Sequence, residues 1–179
     1  MLLRRWLSAA MILAGLLAPI ALSAADLSVG FYLKDPQVHN YRLTEEKLQA
    51  FDKVSRRVYS LKPSDPIVKA LKQPVPHEAP ISKLVEILEA TPLKQLVESD
   101  GLTVRDWLIM EMVIKATQAS YNYYAATGKF PGTTVSTDNL TFYGQHKDEI
   151  EKMVKVWSQL LAAQVQQSHP PKPPAPQNN

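Results

Sequence analysis

The chain contains no cysteine. That absence removes thiol enzymes, cysteine-ligated zinc and iron–sulfur sites, c-type haem attachment, disulfide scaffolds and cysteine-anchored lipoproteins. Glycine is scarce, at 6 of 179 residues, and the sequence holds neither a Gly-x-Ser-x-Gly turn nor a glycine loop able to cradle phosphate. Serine-hydrolase and nucleotide-binding chemistry therefore lack their usual backbone. Strong charge of one sign is also missing. The formal net charge is only +3, and two of the cations are Arg4 and Arg5 at the extreme N-terminus. A nucleic-acid binder needs a clustered basic face, and none is present. No repeat of solenoid length occurs.

What is present begins with an export signal. Arg4 and Arg5 form a positive n-region, the stretch from Trp6 to Leu22 is apolar apart from Ser8, and Ser23-Ala24-Ala25 offers the small residues a signal peptidase requires. Residues 1–25 are therefore expected to be a signal peptide, with no membrane insertion after its removal. The roughly 150 residues that follow can bury about 68–70% of their unfolded surface, enough for a core without disulfides.

The expected fold is all-α: a bundle of four to five helices around a central apolar helix, with an extended N-terminal arm. Residues 26–43 alternate Leu27, Val29, Phe31 and Leu33 with more polar neighbours, a period of two without a partner strand. Residues 44–167 read as a single helical domain. Thr44 caps a helix whose stripe is Leu48, Phe51, Val54, Val58 and Leu61, with Asp52 and Arg56 paired on its outer face. Five prolines between 62 and 80 mark a connector with one short helix. Ile81, Leu84, Val85 and Leu88 define a further helix, and Leu93, Leu96 and Val97 a short one stopped by Gly101.

Thr103 and Asp106 open a helix over 104–127 that carries only four charged residues and is apolar at nearly every angle. Such a helix must be covered on most sides. Asp138 is expected to cap a last helix reaching Gln167, kinked at Gly144, with the core stripe Ile150, Met153, Val154, Trp157, Leu160 and Leu161 and surface pairs Asp148–Lys152 and Glu151–Lys155. Residues 168–179 form a proline-rich mobile tail able to serve as a spacer or as a ligand for a groove that reads extended proline.

Few residues point to chemistry. Glu111, Lys115, Gln118 and Asn122 follow one another along the central helix. They are either its solvated edge or a polar seam lining a pocket. In the second case Glu111, Gln118, Tyr121, Asn122 and Tyr124 bind a ligand, with Tyr123 and Phe130 beside them. His146 and Glu149 have a spacing that can serve a metal, but the pattern occurs once and in the reverse order of dimetal bundles. No metal site and no cofactor is expected. Asn139-Leu140-Thr141 matches the N-glycosylation pattern.

Tyr41-Arg42-Leu43-Thr44-Glu45-Glu46-Lys47, Gly101-Leu102-Thr103-Val104-Arg105-Asp106 and Asp138-Asn139-Leu140-Thr141-Phe142-Tyr143 resemble segments of small exported helical proteins of Gram-negative and related bacteria. The resemblance implies a periplasmic address and a helical fold, and it carries no active site. The expected function is non-enzymatic binding of a protein partner or a cell-envelope component. The alternatives are a periplasmic carrier with a small-ligand pocket at the polar seam, and a metal- or haem-binding bundle.

Overall fold

A computed structural model describes residues 35–72, 79–129 and 135–168. The signal segment, residues 26–34 of the arm, Phe130 and residues 169–179 of the tail lie outside the described residues. Within them the chain is helical throughout, with eight helices and no strand. Two of the eight are short helices that begin where a proline follows a good cap. Asp35 accepts the Gln37 N–H at 2.8 Å and opens α1 (Pro36–His39). Asp65 does the same for Ile67 at 2.8 Å and opens α3 (Pro66–Leu71). Proline at the first helical position sacrifices an amide that would have no partner anyway. The arm is consequently not extended to residue 43: α1 interrupts it and buries Val38.

The remaining elements are α2 (Glu45–Ser60), α4 (Ile81–Glu89), α5 (Leu93–Glu98), α6 (Val104–Thr127), α7 (Thr137–Gln145) and α8 (Lys147–Ser168). Helix α6 is the axis of the core. Thr103 Oγ1 accepts the Asp106 N–H at 3.0 Å and donates to Asp106 Oδ2 at 2.7 Å. At the other end Gly128 adopts φ 70° and donates its N–H to Tyr124 O at 2.8 Å, a left-handed stop that suits glycine. Between them Trp107, Met110, Val113 and Thr117 are fully buried, and Val104, Leu108, Ile109, Met112, Ile114, Ala116 and Ser120 nearly so. Helices α1, α4, α5 and α7 pack closely on α6. The cover ends at Ser120. Residues 121–129 are half-buried or exposed, so the helix is central over its first two-thirds and projects beyond them.

Helices α2 and α8 form the closest pair. They run in the same direction, since Phe51 meets Trp157 while Gln164 reaches Leu61. Gln164 Nε2 donates to Leu61 O at 2.7 Å, just past α2, so α8 supplies a partner at the end of α2, where carbonyls have no intrahelical donor.

The final segment is two helices rather than one kinked rod. Ser136, not Asp138, is the cap: its Oγ accepts the Asn139 N–H at 3.2 Å. The break falls at His146, with φ −109° and ψ 17°. Gly144 lies against α6, where an added Cβ would make ordinary contact with the Tyr121 ring at 3.4 Å. Glu151 pairs with Lys147 at 2.9 Å rather than with Lys155.

Two long-range polar ties fix the N-terminal part to this frame. Asn139 is 1% exposed and acts as a surrogate peptide. Its Oδ1 accepts the Leu43 N–H at 2.9 Å and its Nδ2 donates to Tyr41 O at 2.8 Å. Asp100, at the end of α5, is clasped by Lys53 at 2.8 Å and by Arg57, both from α2; the two cations leave its side chain 3% exposed.

Replacing Asn139 by alanine leaves a buried N–H and C=O unpaired. We expect a loss of about 2–4 kcal/mol in urea unfolding, and a loss under about 1 would show that water replaces the amide. Asp100 answers to pH. Its carboxyl is held below its ordinary value of 3.8, chiefly by the hydrogen bond from Lys53, against desolvation and with help from Arg57. A lowered folded pKa stabilises the fold above the unfolded value and loses that contribution as pH falls through the folded one. The stability gap between the parent and Asp100→Asn should be constant from pH 7 to 5 and shrink as pH drops past about 4. Acid titration of both proteins by circular dichroism checks this, and a gap that widens in acid contradicts it.

Candidate docking groove

Helix spacing builds the site from two matching stripes. On α6, Glu111, Ile114, Lys115 and Gln118 recur at i, i+3, i+4 and i+7; on α8, Val154, Trp157, Ser158 and Leu161 do the same. These positions share one face of their helix. Together with Phe51 and Tyr59 of α2 they line a groove enclosing about 50 Å³. The floor is apolar. The polar groups stand at its edge, where Lys115 donates to Glu111 Oε1 at 2.7 Å. The Glu111 side chain is 12% exposed and that of Lys115 36%, so the acid is the inner member of the pair and the lysine the outer. A half-buried carboxylate without that lysine would be costly.

The α8 wall is held rigidly. Trp157 Nε1 donates to Asp52 Oδ1 at 2.8 Å, and Arg56 Nε donates to the two oxygens of the same carboxylate at 2.9 and 2.8 Å. Phe51 meets the indole edge to face, with centroids 5.2 Å apart and an interplanar angle of 83°. Polar and aromatic contacts therefore fix the same ring from two directions. Tyr59 is buried beside Glu111. Loss of solvent, and then the nearby negative charge, raise its phenol well above the ordinary tyrosine range.

A polar cluster adjoins the Gln118 end. Tyr143 of α7 is fully buried, and its hydroxyl makes no well-aligned hydrogen bond. Gln118 and Glu151 face it from α6 and α8, and its ring meets Tyr121 at 5.1 Å. Burial first, and the Glu151 charge second, push the phenol up to about 12.

The structure thus divides the expected site residues. Glu111 and Gln118 line the groove, and Tyr121 joins the adjoining cluster. Asn122 and Tyr124 sit on the projecting end of α6, exposed, with Tyr124 at 42%. The seam is both of the things its spacing allowed: a paired edge, and one wall of a groove. The tyrosines do not assemble into one pocket, because Tyr121 turns to Tyr143 while Tyr123 is 48% exposed. Sequence reasoning placed Phe51, Val154, Trp157 and Leu161 in the core and left Tyr59 and Ser158 without a role. For Ser158 the signal was the spacing it shares with Val154, Trp157 and Leu161; Tyr59, on α2, had none.

His146 stacks on Phe142 at 4.3 Å and lies 3.4 Å from Glu149. Among the described residues no group of three or more histidine or acidic side chains is placed to hold a metal. No helix among them is long and apolar enough to cross a membrane. The groove, at about 50 Å³, is several times smaller than the roughly 300–1,000 Å³ of small-molecule sites, and it matches a single side chain better than a carried ligand. Comparison with protein-family models, with curated proteins and with solved structures gives no match.

The buried Tyr143 hydroxyl yields a direct test. Tyr143→Phe removes a buried polar atom and should raise stability by up to about 1 kcal/mol. Thermal unfolding measures it, and a drop of that size instead would show that the hydroxyl is hydrogen-bonded in the folded protein, to Gln118, Glu151 or a bound water.

Proposed function

We propose that this chain is an exported, non-enzymatic binding protein that docks a protein partner by receiving one of its apolar side chains in the α2–α6–α8 groove. The observation that carries the reading is the pinned indole. Trp157 is fixed by Asp52 and Arg56 on one side and by Phe51 on another, so the groove requires little ordering when it is filled. Preorganisation of this kind lowers the cost of association, and aromatic-walled pockets are where binding energy concentrates. The paired Glu111 and Lys115 at the edge supply a polar rim around that centre. The periplasmic address belongs to the same proposal and is supported by the signal-like segment 1–25.

Site-specific photocrosslinking in cells tests both parts. A photoreactive residue at Ser158, whose hydroxyl is satisfied by its own helix through Val154 O at 2.8 Å, should give discrete adducts in the periplasmic fraction. The same residue at Lys83, exposed on α4, should give none. Filling the groove with Gln118→Trp should reduce the Ser158 adducts at least about tenfold while leaving the helical spectrum intact. Adducts that are equal from both positions, or that survive the filled groove, would remove this reading.

A further inference from the structure

The groove face of α8 does not stop at the groove. Val165 follows Leu161 by four residues, Ser158 by seven and Val154 by eleven, so it shares their side of the helix. It stands one turn past the groove and is 45% exposed. One face of one helix thus carries a recess at Ser158 and, about 10 Å further along, an exposed apolar side chain. We propose that the partner received by the groove is a second copy of this chain: two α8 helices pair antiparallel about a twofold axis, and Val165 of each enters the groove of the other. The inference rests on the reading of the groove as a docking site and names its occupant.

Three observations favour this occupant. The first is symmetry. In an isologous contact, if residue i of one copy meets residue j of the other, j must also meet i. Antiparallel helices with the axis between Leu161 and Ala162 meet that condition, because Ser158 and Val165 lie equally far from it on opposite sides. One operation fills both grooves.

The second is fit. The buried rings of Phe51, Tyr59 and Trp157 form the floor, and the mouth is made by half-buried side chains: Val154 and Ser158 on one side, Glu111, Lys115 and Gln118 on the other. About 50 Å³ suits the short branched side chain of valine. The other large exposed hydrophobics among the described residues, Tyr123 and Tyr124, carry rings too big for it and sit on the projecting end of α6. Ala162, small and exposed beside the axis, lets the two helices come close.

The third is charge. Residues 147–155 hold six charged side chains, and residues 156–168 hold none. Around a twofold axis a charge meets its own sign, so a charge-free stretch centred near residue 162 suits burial against its own copy. A seam along one helix falls short of the roughly 800 Å² per partner of a standard interface, so the pair should be weak, with a midpoint between about 10 μM and 1 mM.

A chain without cysteine makes the arrangement directly readable. Ser158→Cys chains mixed with Val165→Cys chains should form a disulfide between copies at least about tenfold faster than either variant alone. Like positions stand about 10 Å or more apart across the axis, beyond the roughly 7 Å between Cα atoms that a disulfide spans. The chain carrying both cysteines should close as a covalent dimer; a ladder of longer species would overturn the twofold, since head-to-tail contacts do not close. Sedimentation of the chain from residue 26 onward, which contains the whole described fold, should show a monomer–dimer equilibrium. Val165→Gln should weaken it at least about tenfold with an unchanged helical spectrum, and Tyr123→Gln should not. A monomer at about 1 mM, no preference for the mixed disulfide, or an equal loss from Tyr123→Gln would each overturn the proposal.

Crosslinking at Ser158 in cells separates this proposal from the one beneath it. Adducts at twice the mass of the chain support the second copy. Adducts at other masses only overturn it and leave the docking site standing. Absence of adducts overturns the docking site itself, and this proposal with it.

Discussion

A helix that is apolar at most angles has to be surrounded, and the architecture follows from that need at α6. Over residues 104–120 only the edge of Glu111, Lys115 and Gln118, with Arg105 and Asp106 in the first turn, gives solvent something to hydrate, so neighbours must close on the other flanks. Helices α1, α4, α5 and α7 do so by direct packing. Helices α2 and α8 pair with each other and complete the enclosure across a looser seam. That seam is the groove, so the site is the place where covering α6 is least complete.

The polar groups of the interior are spent almost entirely on joining segments far apart in sequence. Asn139 holds the backbone at residues 41–43, Gln164 completes the end of α2, Asp52 fixes Trp157, and Ser55 takes the Trp107 indole N–H at 3.4 Å. Each tie crosses at least fifty positions. In a chain whose connectors are proline-rich, these bonds do what short turns do in a simple bundle: they set which helix lies beside which. They are also directional, and the apolar contacts around them are not.

The sequence was most legible where a local rule acted alone. The caps at Thr44 and Thr103, the stop at Gly128, the stripe of α2 and the i,i+4 pairs Asp52–Arg56 and Glu111–Lys115 all follow from nearest-neighbour geometry. It was least legible where two local rules competed. Asp138 is as good a cap as Ser136, yet Ser136 caps the helix and Asp138 pairs with Arg42. Glu151 has lysines at both i−4 and i+4, and it pairs with Lys147. The candidate site lay between these cases. The residues of each wall share a spacing visible along one helix, but nothing local reveals that α8 lies opposite α6. Nor does periodicity report that α6 outruns its cover after Ser120, since that depends on the lengths of the neighbouring helices.

The clamp at Asn139 also bears on how the chain must be made. Asn139-Leu140-Thr141 is an acceptor triplet for glycan transfer, yet in the folded protein its amide is enclosed and both its donor and acceptor sides are occupied. In a host whose secretory pathway attaches sugars during translocation, modification and folding become a race for the same nitrogen. A chain that folds first is immune. A chain that is modified first carries a bulky group where residues 41–43 must dock, and it can no longer close its N-terminal segment onto the bundle. The yield of native protein from such a host would then measure how quickly two segments nearly a hundred residues apart find one another.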